Sequence, residues 1–193
     1  MFATPFPEIR LFRPRRHVDD RGFFSEVYSR AAFAEIGIDA EFVQDNHSLS
    51  IPQGVVRGLH FQLPPFAQAK LVRVVHGAIA DVVVDIRRGS PSYGRHARVT
   101  LSAEEWNQIY VPIGFAHGFC TLAPDSEVLY KVSRPYSAAH DRGLLWDDPA
   151  LAIDWPVDAG TAIVSDKDRR QPSLAELDSP FAYEPRTVAA ECG

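Results

Sequence analysis

Short runs of Val, Ile, Phe and Tyr alternate along the chain with clusters of Gly, Pro, Asp and Ser. Apolar runs of this length, rich in β-branched and aromatic residues and punctuated this often, read as strands between turns. The pattern predicts strands over residues 9–13, 23–29, 41–49, 55–62, 70–76, 78–86, 94–101, 108–111, 116–122 and 127–133. Many short strands without long amphipathic helices between them predict an all-β sandwich or barrel rather than a parallel α/β sheet. His76 and Gly77 separate two valine-rich runs and predict a tight hairpin turn.

Helix signals are few. Residues 30–36, RAAFAEI, are helix formers closed by Gly37. Residues 102–105, SAEE, have the spacing of a capping box and predict a short helical turn. Residues 173–177 predict another. Neither an internal repeat nor a linker divides the chain, so residues 1–177 are expected to form one domain. Residues 178–193 lack periodicity and are expected to be loosely held.

The hydrophobic fraction of 46% is enough to fill a core without a disulfide or metal staple. A net charge of −5 argues against broad nucleic-acid binding, which needs a basic surface. It leaves room for a small anionic ligand held by a few Arg and Lys side chains. The two cysteines, Cys120 and Cys192, make no disulfide framework. The first residues, MFATPFPEIR, lack the basic and apolar regions of a signal peptide. The most apolar stretch, 71–86, is interrupted by Arg73, His76, Asp81 and Asp85 and is not a membrane span. A cytoplasmic protein with no membrane or nucleic-acid partner is the expectation.

Several strands carry residues able to do chemistry. In VVRGLHFQ, residues 55–62, alternation puts Val56, Gly58, His60 and Gln62 on one face and Arg57 on the other. A bulge at Gly58 would bring Arg57 and His60 to one side. The competing reading is a solvent-facing histidine beside a surface arginine. Lys70 shares a face with Val72, Val74 and His76, so it either snorkels to a rim or enters a polar cavity. His117 lies in GFAHGFC, where glycines permit close backbone approach to a ligand, or it is a hydrogen-bonded core residue. Tyr130 sits in the strand EVLYK, where packing is the usual role of a tyrosine. Residues 165–168, SDKD, form a small charge cluster of the kind usually found in a solvated loop.

Metal-binding barrels of this type commonly place two histidines two residues apart on one strand. Position 62 is glutamine, and no pair among the seven histidines has spacing i, i+2 or i, i+4. There is also no Gly-rich phosphate loop and no GxSxG nucleophile turn. Any phosphate must therefore be held by side chains.

Taken together, DDRGFFSEVY (19–28), FVQDNHS (42–48), RGLHFQ (57–62), AKLVRVVHG (69–77), VVVDIRRGSPSYG (82–94), VPIGFAHGF (111–119), YKVSRPY (130–136), WDDP (146–149) and SDKD (165–168) resemble the dTDP-4-dehydrorhamnose 3,5-epimerase family. The resemblance spans roughly residues 8–177. It implies a cupin-type jelly-roll β-barrel with a few short peripheral helices, no metal or other cofactor, and a homodimer that exchanges an N-terminal strand. It also implies inversion of carbons 3 and 5 of dTDP-4-dehydro-6-deoxy-D-glucose to give dTDP-4-dehydro-L-rhamnose. By the same resemblance, His60 is the base, Asp168 its carboxylate partner, Tyr130 the acid, and Lys70 the cation near the ketone oxygen. Arg57 and His117 are ligand contacts. Arg21, Glu26, Gln44, Asp45, Asn46 and Lys167 contact nucleotide or sugar, with Arg21 and Glu26 able to serve the neighbouring subunit. Tyr136 is the base-stacking residue. The chain departs from the family in having Pro135 before Tyr136, where a second aromatic is often found, and Asp141 where a glutamate is expected. Three other readings stand beside this one: an epimerase acting at only one carbon, a metal-dependent cupin, and a silent sugar-nucleotide-binding cupin.

Overall fold

The computed structural model describes residues 5–185. Its strands are β1 (Arg10–Phe12), β2 (His17–Asp19), β3 (Gly22–Phe24), β4 (Gln44–Ser50), β5 (Val55–Gln62), β6 (Lys70–His76) and β7 (Ala78–Asp85). They continue with β8 (His96–Ser102), β9 (Gln108–Val111), β10 (Phe115–Thr121), β11 (Ser126–Val132), β12 (Asp141–Gly143) and β13 (Ile163–Val164). One sheet has the order β1-β9-β6-β11-β4. The other runs β12-β5-β10-β7-β8, with β13 added to β5 in parallel. All other pairings between these strands are antiparallel, and β2 and β3 make a hairpin of their own.

The two sheets face one another across a shared core. Val72 and Val74 of β6 and Val128 of β11 pack there against Ile79 and Val83 of β7 and Phe115 and Phe119 of β10. The residues of opposite parity on β7, Val82 and Val84, point the other way into a second cluster with Leu59, Phe61, Leu144 and Phe181. Strand β7 is thus covered on both faces, which explains why AIADVVVD is apolar without a break. The result is the double-sheet jelly roll that the family resemblance implies, within the sandwich-or-barrel class that the strand pattern predicts.

Strands β5, β6 and β9 match their predicted bounds. The expected strand over 23–29 is confined to Gly22–Phe24, because its only ladder partner among the described residues is the short β2. The turn at His76 and Gly77 exists but does not close a hairpin. Strand β6 pairs with β9 and β11, whereas β7 pairs with β8 and β10 in the opposite sheet. Gly77, at φ +74°, carries the chain across this corner, where a Cβ would lie 2.5 Å from Ser126 Oγ. The helix over 30–36 is found as α1 (Arg30–Glu35), whose Phe33 packs with Ile38 and Leu71. At 102–105 the cap bond forms, from Glu105 N to Ser102 Oγ at 2.9 Å, but the segment remains a turn. At 173–177 a single 3₁₀ turn, Leu174–Glu176, carries a complete capping box on Ser173.

The expectation of a loose segment from residue 178 fails over 179–183. Phe181 is buried in the second core cluster, and Ser179 is 1% exposed. The Arg88 backbone bonds both Phe181 and Tyr183. Two spaced aromatics and a serine do not produce a periodic signal, yet they fill a groove on the sheet. Residues 186–193 of that segment lie outside the described residues.

Candidate active site

Between the sheets lies a cavity of about 500 Å³. The six-stranded sheet sends His60 from β5 and His117 from β10 into it. The five-stranded sheet sends Lys70 from β6 and Tyr130 from β11. Arg57, Lys167 and Asp168, with Ser48 and Ser165, complete its polar lining.

Arg57 and His60 share the cavity because β5 is bulged. Against β10, His60 pairs with His117 and Arg57 with Phe119, so the register slips between them. Gly58 has φ +129°, and a Cβ there would sit 2.5 Å from Gly118 Cα. Only glycine fits both the backbone angle and the space. Arg57 is then steered by bonds to Ser50 Oγ and the Leu49 carbonyl, each at 3.1 Å.

His60 Nε2 lies 2.6 Å from Asp168 Oδ1. Asp168 opens a one-turn 3₁₀ helix, and its carboxylate also receives Gly58 N–H. Its backbone N–H is bound by Ser165 Oγ. Burial pushes the Asp168 carboxyl up, but the bonds and charge from His60 with the Gly58 and Ser165 contacts outweigh it, leaving it below the usual carboxylate range. It is therefore an anion at neutral pH, facing an imidazole. The SDKD segment is no solvated loop at this residue, which is 4% exposed.

Lys70 is 9% exposed, so it enters the cavity rather than reaching a rim. Its Nζ lies 3.3 Å from the His60 carbonyl. Burial lowers its pKa to about 8, against the opposing pull of Asp81 and Asp141. Tyr130 is pushed up, chiefly by burial, with Asp141 adding to the rise and Arg57 opposing it. The phenol is therefore protonated at neutral pH.

His117 is almost fully buried and bonds Asp81 Oδ2 at 2.8 Å. Asp81, fully buried, was not singled out from the sequence. A carboxylate inside the valine run of β7 was the available signal, but its partner is on a strand 36 residues away. Among the described residues, its Oδ1 has no hydrogen-bond partner.

Asp141 accepts a bond from Tyr136 Oη at 3.0 Å and pairs with the cavity-lining Lys167. Alternation on β4 turns Gln44 and Asn46 to the same face, where Gln44 Nε2 donates to Asn46 Oδ1. Asn46 stands opposite Tyr130 in the ladder. Asp45 points the other way. It is ion-paired with Lys131 and lines a separate cavity of about 140 Å³ with Tyr28 and Arg73. Arg21 sits at the tip of the β2–β3 hairpin, 89% exposed and paired with Asp19, and Glu26 is also exposed. Neither lines the cavity of its own chain.

Arg57, Lys70 and Lys167 bring three basic side chains to one cavity whose Asp168 is engaged by His60, an electrostatic setting suited to a diphosphate. Among the described residues, no three His, Cys, Asp or Glu side chains gather as a metal-ligand set.

The family model described as dTDP-4-dehydrorhamnose 3,5-epimerase matches residues 3–176. A dTDP-4-dehydrorhamnose 3,5-epimerase of Sinorhizobium fredii is 55% identical over 176 residues, 91% of this chain and 90% of that protein. The crystal structure of the Bacillus anthracis dTDP-4-dehydrorhamnose 3,5-epimerase with TDP and PPi bound aligns at a TM-score of 0.85. It is 50% identical, over 89% of this chain and 97% of that one. The Legionella pneumophila dTDP-6-deoxy-D-glucose-3,5-epimerase, in complex with dTDP-4-keto-L-rhamnose, aligns at 0.88. It is 39% identical, over 94% of this chain and 96% of that one.

Proposed function

The chain belongs to the dTDP-4-dehydrorhamnose 3,5-epimerase family, and on that premise we propose that it inverts carbons 3 and 5 of dTDP-4-dehydro-6-deoxy-D-glucose to give dTDP-4-dehydro-L-rhamnose. One observation carries the mechanism. His60 and Tyr130 reach the same cavity from opposite sheets.

Inversion needs a proton removed from one face of the sugar and another delivered to the opposite face. His60 takes the proton beside the ketone, and Asp168 stabilises the imidazolium that forms. The electron pair moves onto the C4 oxygen. Lys70, with a pKa of about 8, is mostly charged at pH 7 and stabilises this enolate. The surroundings of the buried ammonium strengthen that interaction beyond its value in water. Tyr130 then protonates the carbon from the other side, becoming a phenolate that solvent reprotonates. The same groups serve C3 and C5, since both flank one ketone. Arg57, His117 and Lys167 hold the sugar and diphosphate, Gln44, Asn46 and Asp141 border them, and Tyr136 stacks on the thymine. Binding energy from the nucleotide thereby orients the reacting carbons.

The working unit in this reading is a homodimer in the cytoplasm. Val18, Phe23 and Phe24 on the β2–β3 hairpin are 78%, 51% and 72% exposed, an apolar surface suited to a second copy. Exchange of that hairpin brings Arg21 and Glu26 to the neighbour's cavity, while Asp45 stays paired with Lys131 on the other face of β4. The cytoplasmic reading rests on the cysteines, of which Cys120 is a buried free thiol. Among the described residues, no helix is long and apolar enough to cross a membrane.

The test is turnover of the 4-keto sugar nucleotide in deuterated water, followed by NMR. Deuterium at both C3 and C5 with inverted configuration supports the reading. Inversion at one carbon alone would point to the single-site epimerase.

A further inference from the structure

Gln62 occupies the position where a metal-chelating strand would put a second histidine. Its side chain is turned to another task. It is 4% exposed, and its amide is fully engaged. Nε2 donates to the Phe66 carbonyl at 2.9 Å and the Pro135 carbonyl at 3.3 Å, and Oε1 accepts from Ser137 N–H at 2.7 Å.

Two further glutamines act on the same segment. Gln68 Nε2 donates to the Arg134 carbonyl at 2.7 Å. Gln44 Oε1 accepts from Tyr136 N–H at 3.0 Å. Four successive backbone groups, the carbonyls of 134 and 135 and the N–H groups of 136 and 137, are therefore each held by a glutamine amide. The chain has just left β11 at Val132, and Pro135 has no N–H to contribute to a ladder. Side chains take the place of a strand partner here. Glutamine suits the task because one amide both donates to carbonyls and accepts from N–H groups, whereas a carboxylate only accepts.

The aromatic carried by this segment is Tyr136, 58% exposed and bonded to Asp141, the partner of the cavity-lining Lys167. We propose that Gln62, seconded by Gln68, is a positioning residue for nucleotide binding, clamping residues 134–137 so that the Tyr136 ring is already set for stacking when the thymine arrives. The proposal rests on the reading of Tyr136 as the stacking residue. The cost of ordering the segment is met during folding and is not subtracted from binding. Releasing the clamp returns that cost to the binding step, so the loss appears in KM and in nucleotide affinity, not in kcat.

The test measures dTDP affinity by calorimetry for the full-length wild type, Tyr136→Ala, Gln62→Leu, Gln68→Ala and the double variant Gln62→Leu/Tyr136→Ala, with melting curves to establish folding. Tyr136→Ala is expected to weaken binding about tenfold, as for loss of a base-stacking aromatic. Gln62→Leu is expected to lose roughly as much, and Gln68→Ala about threefold, in proportion to the hydrogen bonds removed. The double variant should bind no more weakly than Tyr136→Ala alone, because the clamp acts through that ring. Unchanged affinity in Tyr136→Ala overturns the stacking reading and the clamp with it. A loss in Tyr136→Ala with unchanged affinity in folded Gln62→Leu overturns the clamp alone, as does an additive loss in the double variant. Should Gln62→Leu fail to fold, unchanged affinity in Gln68→Ala is the overturning result.

Discussion

His60 Nε2 and Asp168 Oδ1 lie 2.6 Å apart, although 108 positions separate the two residues in sequence. The contact brings a one-turn 3₁₀ helix against the bulged strand β5, and it fixes the orientation of the imidazole. Asp168→Asn keeps the shape and removes the charge. We expect kcat to fall on the order of 10²–10⁴-fold with little change in KM, measured by steady-state kinetics. The same pair sets a pH dependence of stability. The folded carboxyl titrates below its unfolded value, so its stabilisation is fully present above about pH 5 and is lost as the pH falls through the folded value. Denaturant melts should therefore show the difference between wild type and Asp168→Asn shrinking as pH is lowered from 5 to 3.

Lys70 gives a second signature. With its pKa near 8, the ammonium loses its proton on the alkaline side of neutrality. If Lys70 stabilises the enolate, kcat/KM declines as pH rises through about 8. Lys70→Arg keeps the charge to higher pH and should move that limb upward while lowering the plateau, because the guanidinium does not reproduce the ammonium's position. A pH–rate profile of the two proteins checks this.

Gly58 is the hinge on which the site geometry turns. A methyl group at this position meets Gly118 Cα at 2.5 Å and is attached to a backbone at φ +129°. Gly58→Ala is expected to cost more than about 2 kcal/mol in urea unfolding. Any folded fraction should have lost most of its activity, since both His60 and Arg57 take their direction from the bulge.

The proposed exchange of the β2–β3 hairpin makes a prediction about mixed dimers. Arg21→Ala and His60→Ala should each be inactive alone. In a heterodimer, the Arg21→Ala subunit keeps its own His60 and receives Arg21 from its partner, so one of the two sites works. Recovered activity after co-refolding would support a shared site, and none would count against it.

Much of this arrangement was legible in the sequence because strand periodicity is local. Alternation grouped His60 with Gln62 and Lys70 with Val72, and it flagged Gly58 as a bulge position. What was not legible depends on strand order. His76 and Gly77 look like a hairpin turn because a corner between sheets uses the same glycine and the same flanking valines. Asp81 reads as an interruption of an apolar run until β7 is seen to pair with β10, which gives its carboxylate His117. The family resemblance grouped Asp45 with Gln44 and Asn46, yet period-2 geometry separates them by face. Gln62 registered only as a missing histidine, since the segment it holds is 73 residues further along.

The claim on which the account depends is that deprotonation and reprotonation are done by different groups from opposite sheets. Single-turnover reactions in deuterated water test it most directly, with deuterium content and configuration at C3 and C5 read together for wild type, His60→Ala and Tyr130→Phe. The account predicts no deuterium incorporation in His60→Ala despite retained dTDP binding, and a larger loss of inversion than of proton removal in Tyr130→Phe. Full deuterium incorporation in His60→Ala, or equal loss of both steps in Tyr130→Phe, would contradict it.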